Sequence, residues 1–95
     1  MEKVVYLIDL FDIYGELFTD KQKLYFVDYY FNNFTLQEIS ENYGITRNAI
    51  HKSLKETEEK LLYYEEKLKI YDKNKKILSL LSDNKELKER VEEML

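Results

Sequence analysis

The sequence predicts an all-α protein built around a helix-turn-helix, and three observations carry that prediction. The 95 residues include no proline and only two glycines, Gly15 and Gly44, so little in the chain breaks a helix. Apolar residues recur at helical spacing through most of its length. Two capping boxes, Thr19 with Gln22 and Thr35 with Glu38, mark helix starts. Side chains in such a box bond the backbone N–H groups that a helix start leaves open.

Val4, Leu7, Ile8, Phe11 and Tyr14 predict an amphipathic first helix from about Lys3 to Tyr14, ended by Gly15. Thr19 opens a second helix, whose aromatic-rich face is expected to comprise Leu24, Val27, Tyr30 and Phe31, with a turn at Asn32-Asn33. Thr35 opens a short third helix with Leu36, Ile39 and Tyr43 on its apolar side, and Gly44 closes it. Thr46 is the N-cap of a fourth. Nothing forces that helix to stop before Asp72-Lys73-Asn74, which implies roughly seven turns or more.

Within it, Ile50, Leu54, Thr57, Leu61, Tyr64, Leu68 and Tyr71 follow the heptad rule for a seam that packs on another helix, of this chain or of a second subunit. Residues Lys75 to Leu95 read as two helical pieces with a capping break at Ser82-Asp83-Asn84. The last piece either folds back on the seam or swaps to a second copy. The expected organisation is a single helical domain, 1–95, with the helix-turn-helix at 35–55 and a helical extension and dimerisation segment at 56–95.

Hydrophobic residues make up 44% and charged residues 36%, a mixture that folds. The absence of cysteine excludes disulfides, thiolate zinc sites and cysteine nucleophiles. Met1 to Leu10 carries Glu2, Lys3 and Asp9, so neither a secretory signal nor a membrane span is read there, and a cytoplasmic protein is expected. The net charge of −4 opposes a nucleic-acid backbone, but its distribution matters more. Three basic and six acidic residues precede position 35, three and two occupy 35–55, and nine and eleven follow. Only the centre is net positive.

That centre has the parts of a DNA reader. A helix-turn-helix sets a first helix across the DNA backbone and a second in the major groove, at an angle fixed by a short turn. Gly44 takes the left-handed conformation the turn requires, and Ser40 is small enough for the helices to approach. Ile39, Ile45, Ala49 and Ile50 are expected to lock the pair, leaving Arg47, Asn48, His51, Lys52 and Lys55 facing solvent. Arg47 suits guanine and Asn48 adenine; Lys52 and Lys55 suit phosphates, as do the hydroxyls of Thr46 and Thr35. The competing reading is a helical packing unit whose charged face is merely solvated, and Glu56, Glu58 and Glu59 directly after the basic stretch count towards it.

The single histidine, His51, reads as a surface polar residue rather than a metal ligand. Carboxylate pairs such as Asp9/Asp12, Glu38/Glu41 and Glu65/Glu66 read as helix surface. With no nucleophile–base pair, phosphate loop or metal cluster, the sequence points away from an enzyme and from any cofactor, metal or small-molecule substrate. The partners expected are DNA and a second copy of the chain joined through the C-terminal helices, with no membrane.

The order of motifs is that of a known family. Tyr6-Leu7-Ile8-Asp9-Leu10-Phe11-Asp12-Ile13-Tyr14, Leu17-Phe18-Thr19-Asp20-Lys21-Gln22 and Tyr29-Tyr30 lead into Leu36-Gln37-Glu38-Ile39-Ser40-Glu41. Gly44-Ile45-Thr46-Arg47-Asn48-Ala49-Ile50, Lys55-Glu56-Thr57-Glu58 and Tyr64-Glu65-Glu66-Lys67-Leu68 follow. Over residues 3 to about 72 the chain resembles the bacterial YlxM family, and its helix-turn-helix is also similar to sigma-factor region four. The resemblance implies a sigma-region-four-like helical fold and a DNA-binding or regulatory role. It also implies a link to the signal recognition particle pathway through gene neighbourhood, with contact to that particle's protein or RNA as the alternative to DNA. Thr46, Arg47, Asn48, Ala49 and Ile50 match the start of the family's recognition helix, and Gly44 its turn. Glu56 departs from the family pattern, which commonly has arginine there, and so weakens phosphate contact at that end.

Overall fold

The computed structural model describes residues 2–81 and 85–94, with no side-chain description at Lys85 or Lys88. Among the described residues every regular element is helical. Helix α1 spans Glu2–Tyr14 and runs into a 3₁₀ turn at Gly15–Leu17. Helix α2 spans Asp20–Phe26 and continues as a π-helical turn, Val27–Phe31. Helices α3 (Leu36–Tyr43), α4 (Arg47–Leu68), α5 (Ile70–Leu80) and α6 (Lys85–Met94) follow. The break expected at Ser82-Asp83-Asn84 lies outside the described residues.

Each start is set by local chemistry. Both capping boxes form: the Thr19 hydroxyl accepts from the Gln22 N–H and the Thr35 hydroxyl from the Glu38 N–H, while the Gln22 and Glu38 side chains accept from the threonine N–H groups. Asn33 makes the turn after α2 in a left-handed conformation, φ 57°, which asparagine tolerates better than most residues.

The core collects Leu7, Leu10 and Tyr14 of α1, Phe18, Tyr25 and Phe26, Ile39 of α3, and Ile50, Leu54 and Leu61 of α4. Burying each of the aliphatic and phenylalanine side chains contributes about 1.5–3 kcal/mol. Phe11 packs against Phe26 with ring centroids 4.2 Å apart and planes tilted by 43°, over a glycine: a Cβ on Gly15 would stand 2.9 Å from the Phe11 ring. Gly15 therefore does more than end α1. It lets the ring lie against the backbone.

The buried face of α2 differs from the expected one. Leu24, Val27 and Phe31 are exposed, while Tyr25, Phe26 and Asp28 are buried. Val4 is likewise exposed on α1, with Leu10 in its place in the core. The stretch from Leu24 to Phe31 is apolar at every position but Asp28, so it offers no contrast to define a face, and its π turn shifts the helical phase. Asp28 is buried because it is hydrogen-bonded: its carboxylate accepts from the Tyr43 hydroxyl at 2.6 Å and from the Asn32 amide at 3.0 Å.

The first four positions of the α4 seam are covered by the chain itself, whereas Leu68 is exposed and Tyr71 lies on α5. Ile50, Leu54, Thr57 and Leu61 are buried against α1, α2 and α3, and the Thr57 hydroxyl donates to the Ser53 carbonyl at 3.0 Å. The helix also stops before the expected Asp72-Lys73-Asn74, which lies inside α5. It stops at Lys69, left-handed at φ 53°.

What holds that joint is Glu65, a residue read as surface from sequence and in fact 7% exposed. Its carboxylate accepts from the Tyr14 hydroxyl at 2.8 Å, from the Tyr71 N–H at 3.0 Å and from the Asp72 N–H at 3.1 Å. The Ile70 N–H donates to the Tyr14 oxygen at 3.3 Å. Helix α5 has no capping side chain of its own, so its open N–H groups are served from α4 and α1.

Candidate nucleic-acid interface

The site is built from the turn between α3 and α4. Gly44 closes α3 at φ 65° and ψ 32°, and its N–H donates to the Ser40 carbonyl. The Ile45 N–H donates to the same carbonyl at 3.2 Å, and the Ser40 hydroxyl donates to the Ile45 carbonyl. Ser40 thus clamps the turn by hydrogen bonding as well as by being small. A Cβ at Gly44 would meet nothing within 4 Å, so glycine is required by conformation and not by space. Thr46, extended at φ −65°, then accepts from the Ala49 N–H at 3.2 Å and starts α4.

Burial of Ile50, Leu54, Thr57 and Leu61 fixes which side of α4 faces out. Thr46, Arg47, Asn48, His51, Lys52 and Lys55 are all exposed. Ala49 is exposed too, contrary to the expectation that it locks the helix pair. It precedes Ile50 by one residue and so lies about 100° of helical rotation from the buried line, which turns its methyl outward. Ile39 is fully buried, Ile50 likewise, and Ile45 half-buried.

On the same rotation Asn48, Lys52 and Lys55 fall within about 60° of one another on the outermost line of the helix. Glu56 and Glu59 are exposed next to them. Arg47 stands to one side, lining a cleft with Tyr29, Phe34 and Gln37, and His51 and Lys55 border an adjoining cleft with Lys3 and Glu58. Sequence reasoning did not find the cleft residues Tyr29, Asn33 and Gln37, because nothing local to them signals a site.

Lys23, Lys76 and Arg90 are engaged in ion pairs with Glu16, Asp72 and Glu86. The side chains of Arg47, Asn48, His51, Lys52 and Lys55 make no hydrogen bond or ion pair with the described residues. Four of these carry or can carry positive charge, and all five are free to meet a partner. Among the described residues no group of three or more histidines or carboxylates is placed to hold a metal, and no helix is long and apolar enough to cross a membrane.

Over residues 1–95 the sequence matches the family described as "Putative helix-turn-helix protein, YlxM / p13 like". A UPF0122 protein of Bacillus velezensis is 39% identical over 93 residues, covering 98% of this chain and 84% of that protein. One of Malacoplasma penetrans is 41% identical over 86 residues, covering 87% and 80%. One of Listeria monocytogenes is 47% identical over 75 residues, covering 76% and 68%. The capped, glycine-turned α3–α4 pair and these relatives agree, and the chain belongs to the YlxM/p13-like family of helix-turn-helix proteins.

Proposed function

We propose that this protein is a cytoplasmic DNA-binding regulator that lays the start of α4 in the major groove. The observation that carries the reading is the uncommitted polar face of α4, Arg47, Asn48, His51, Lys52 and Lys55, in a chain of net charge −4 with carboxylates near at hand. Arg47 and Asn48 stand in the first turn, where side chains reach base edges: Arg47 suits guanine and Asn48 adenine. Lys52, Lys55 and His51 suit phosphates, with the Thr46 hydroxyl beside them.

Three cations at the start of α4, Arg47, Lys52 and Lys55, give weak phosphate binding, so the reading includes a homodimer that doubles the contacts, joined through α5 and α6. Its support is apolar surface: Ile77, Leu80, Leu87 and Met94 are exposed on those two helices, with Leu80 83% and Met94 84% accessible. Organisation as one helical unit with a dimerising extension from residue 56 belongs to the same reading.

The test is selection from a randomised duplex library at low salt, repeated at higher salt and with variants. Arg47→Ala is expected to cost about 1–3 kcal/mol and to relax specificity at one position. Lys52→Ala is expected to weaken all sequences alike and to lower the salt slope by about 1. Equal binding by both variants and the parent refutes those roles. No enrichment at low salt favours the second reading, an adaptor for protein or RNA of the signal recognition particle system. That reading is supported by the acidic net charge and by Tyr63, 54% exposed on the outward side of α4 beyond the basic stretch.

A further inference from the structure

The cleft beside Arg47 is a feature that duplex reading leaves unused. It has a volume of about 550 Å³, within the range of small-molecule sites. Tyr29, Tyr30 and Phe34 supply aromatic walls, Asn33 and Gln37 supply side-chain amides, and Arg47 supplies a guanidinium. In a chain with 19 acidic residues, no carboxylate lines it. The adjoining cleft, by contrast, is lined by Glu58 and Glu59.

Two backbone irregularities shape this cleft. The π turn Val27–Phe31 sets Tyr29 and Tyr30 edge-to-face at 5.0 Å, and the left-handed Asn33 turns the chain immediately after it. Such departures from regular geometry recur at functional sites. The polar groups are also available. The Tyr30 hydroxyl is occupied by Glu58, but Arg47 and Asn33 have no side-chain partner among the described residues, and Gln37 uses only its Nε2, donating to Glu41 at 2.9 Å.

We propose that this cleft binds a free nucleoside monophosphate. The base lies against the tyrosines and Phe34, its edge meets the amides of Asn33 and Gln37, and the phosphate pairs with Arg47. The absence of carboxylates is what admits the anion. No reaction is involved. The site shares Arg47 with the proposed DNA-reading face, so nucleotide and DNA compete, and the mononucleotide acts as an effector that releases DNA. Only this last consequence rests on the DNA reading.

The test is titration of the full-length protein, without DNA, with AMP and GMP up to 10 mM, followed by backbone amide NMR shifts, with adenosine and inorganic phosphate as controls. The expected result is saturable shifts centred on residues 29–37 and 47, with at least one monophosphate at least about tenfold tighter than both controls. Losing a charge-assisted Arg–phosphate pair is about a tenfold effect. Arg47→Gln should reduce the affinity to that of adenosine, and Tyr29→Ala, at an exposed ring, should reduce it several-fold while the remaining spectrum is preserved. No saturation with either monophosphate, shifts centred elsewhere, or unchanged affinity in Arg47→Gln overturns the proposal. Lys73→Ala, exposed on α5 and outside the cleft, should bind AMP and GMP as the parent does. If both monophosphates fail while library selection succeeds, the effector site falls and the DNA reading stands; the reverse result separates them the other way.

Discussion

Replacing Glu65 with alanine tests whether a buried carboxylate fastens α5 to the rest of the fold. The side chain accepts three hydrogen bonds, at 2.8, 3.0 and 3.1 Å, from the Tyr14 hydroxyl and the Tyr71 and Asp72 N–H groups. A hydrogen bond to a charged group contributes about 1.5–3 kcal/mol, so simple addition gives an upper bound of about 9 kcal/mol. The three share one acceptor and so do not add, and the loss is limited because α5 can detach and let water reach its N–H groups.

The expected cost of Glu65→Ala is about 3 kcal/mol, equivalent to a fall in Tm of about 12–24 °C for a domain of this size. Glu65→Gln keeps one acceptor but sets an amide against one of the N–H donors, and should cost about 1–2 kcal/mol. Urea unfolding followed by circular dichroism gives the free energies, and hydrogen exchange at Tyr71 and Asp72 reports the joint itself. A loss below about 0.5 kcal/mol with amide protection unchanged would refute the reasoning. A Tyr14→Phe, Glu65→Ala cycle should return a coupling of about 1.5–3 kcal/mol.

Three further outcomes follow from the same contacts. Gly44→Ala forces a Cβ into a left-handed residue and should cost about 1–2 kcal/mol in thermal or urea unfolding, with no steric contribution to relieve. Gly15→Ala should cost more, because the added methyl displaces the Phe11 ring from its contact with Phe26; loss of near-ultraviolet aromatic signal reports it. Stability should fall at alkaline pH. Tyr14 and Tyr30 are held above the ordinary tyrosine value of 10.0 chiefly by burial and then by Glu65 and Glu58, Tyr6 by burial and then by Glu65, and Tyr43 first by its hydrogen bond to Asp28. A raised folded-state value means the unfolded chain ionises first, so this stability is complete below about pH 10 and is lost as pH rises through the folded values. Urea midpoints at pH 8, 10 and 11 check it, and a Tyr14→Phe, Tyr43→Phe variant should show a shallower decline.

The parts legible in the sequence are those whose causes are local. Thr19, Thr35 and Thr46 cap the helices they were expected to start, and Gly44 adopts the expected left-handed turn, because each depends on residues three or four positions away. The exposure of Arg47, Asn48, His51, Lys52 and Lys55 follows from the apolar spacing of Ile50, Leu54 and Leu61. Ala49 escaped the same logic because a lone methyl weakly constrains which way a helix turns. The end of α4 was illegible because the left-handed residue there is Lys69, which carries none of the signal of a glycine or asparagine. Glu65 was illegible because its partner Tyr14 is 51 residues away and its other donors are backbone amides. The cleft at Arg47 joins residues 29–37 to α4 only through the angle at which the turn sets the helices.

The division of charge along α4 has a mechanical meaning. Its 22 residues make a rod about 33 Å long, of which Arg47 to Lys55 is about the first 13 Å. From Glu56 and Glu59 onward the exposed side turns acidic, so a polyanion is attracted to the tip and repelled by the shaft. Such a rod has a depth stop. On the proposed DNA reading it enters a groove end-first by two to three turns, and the repulsion beyond would tilt the shaft, with α5 and α6 behind it, away from the nucleic acid and into open solvent.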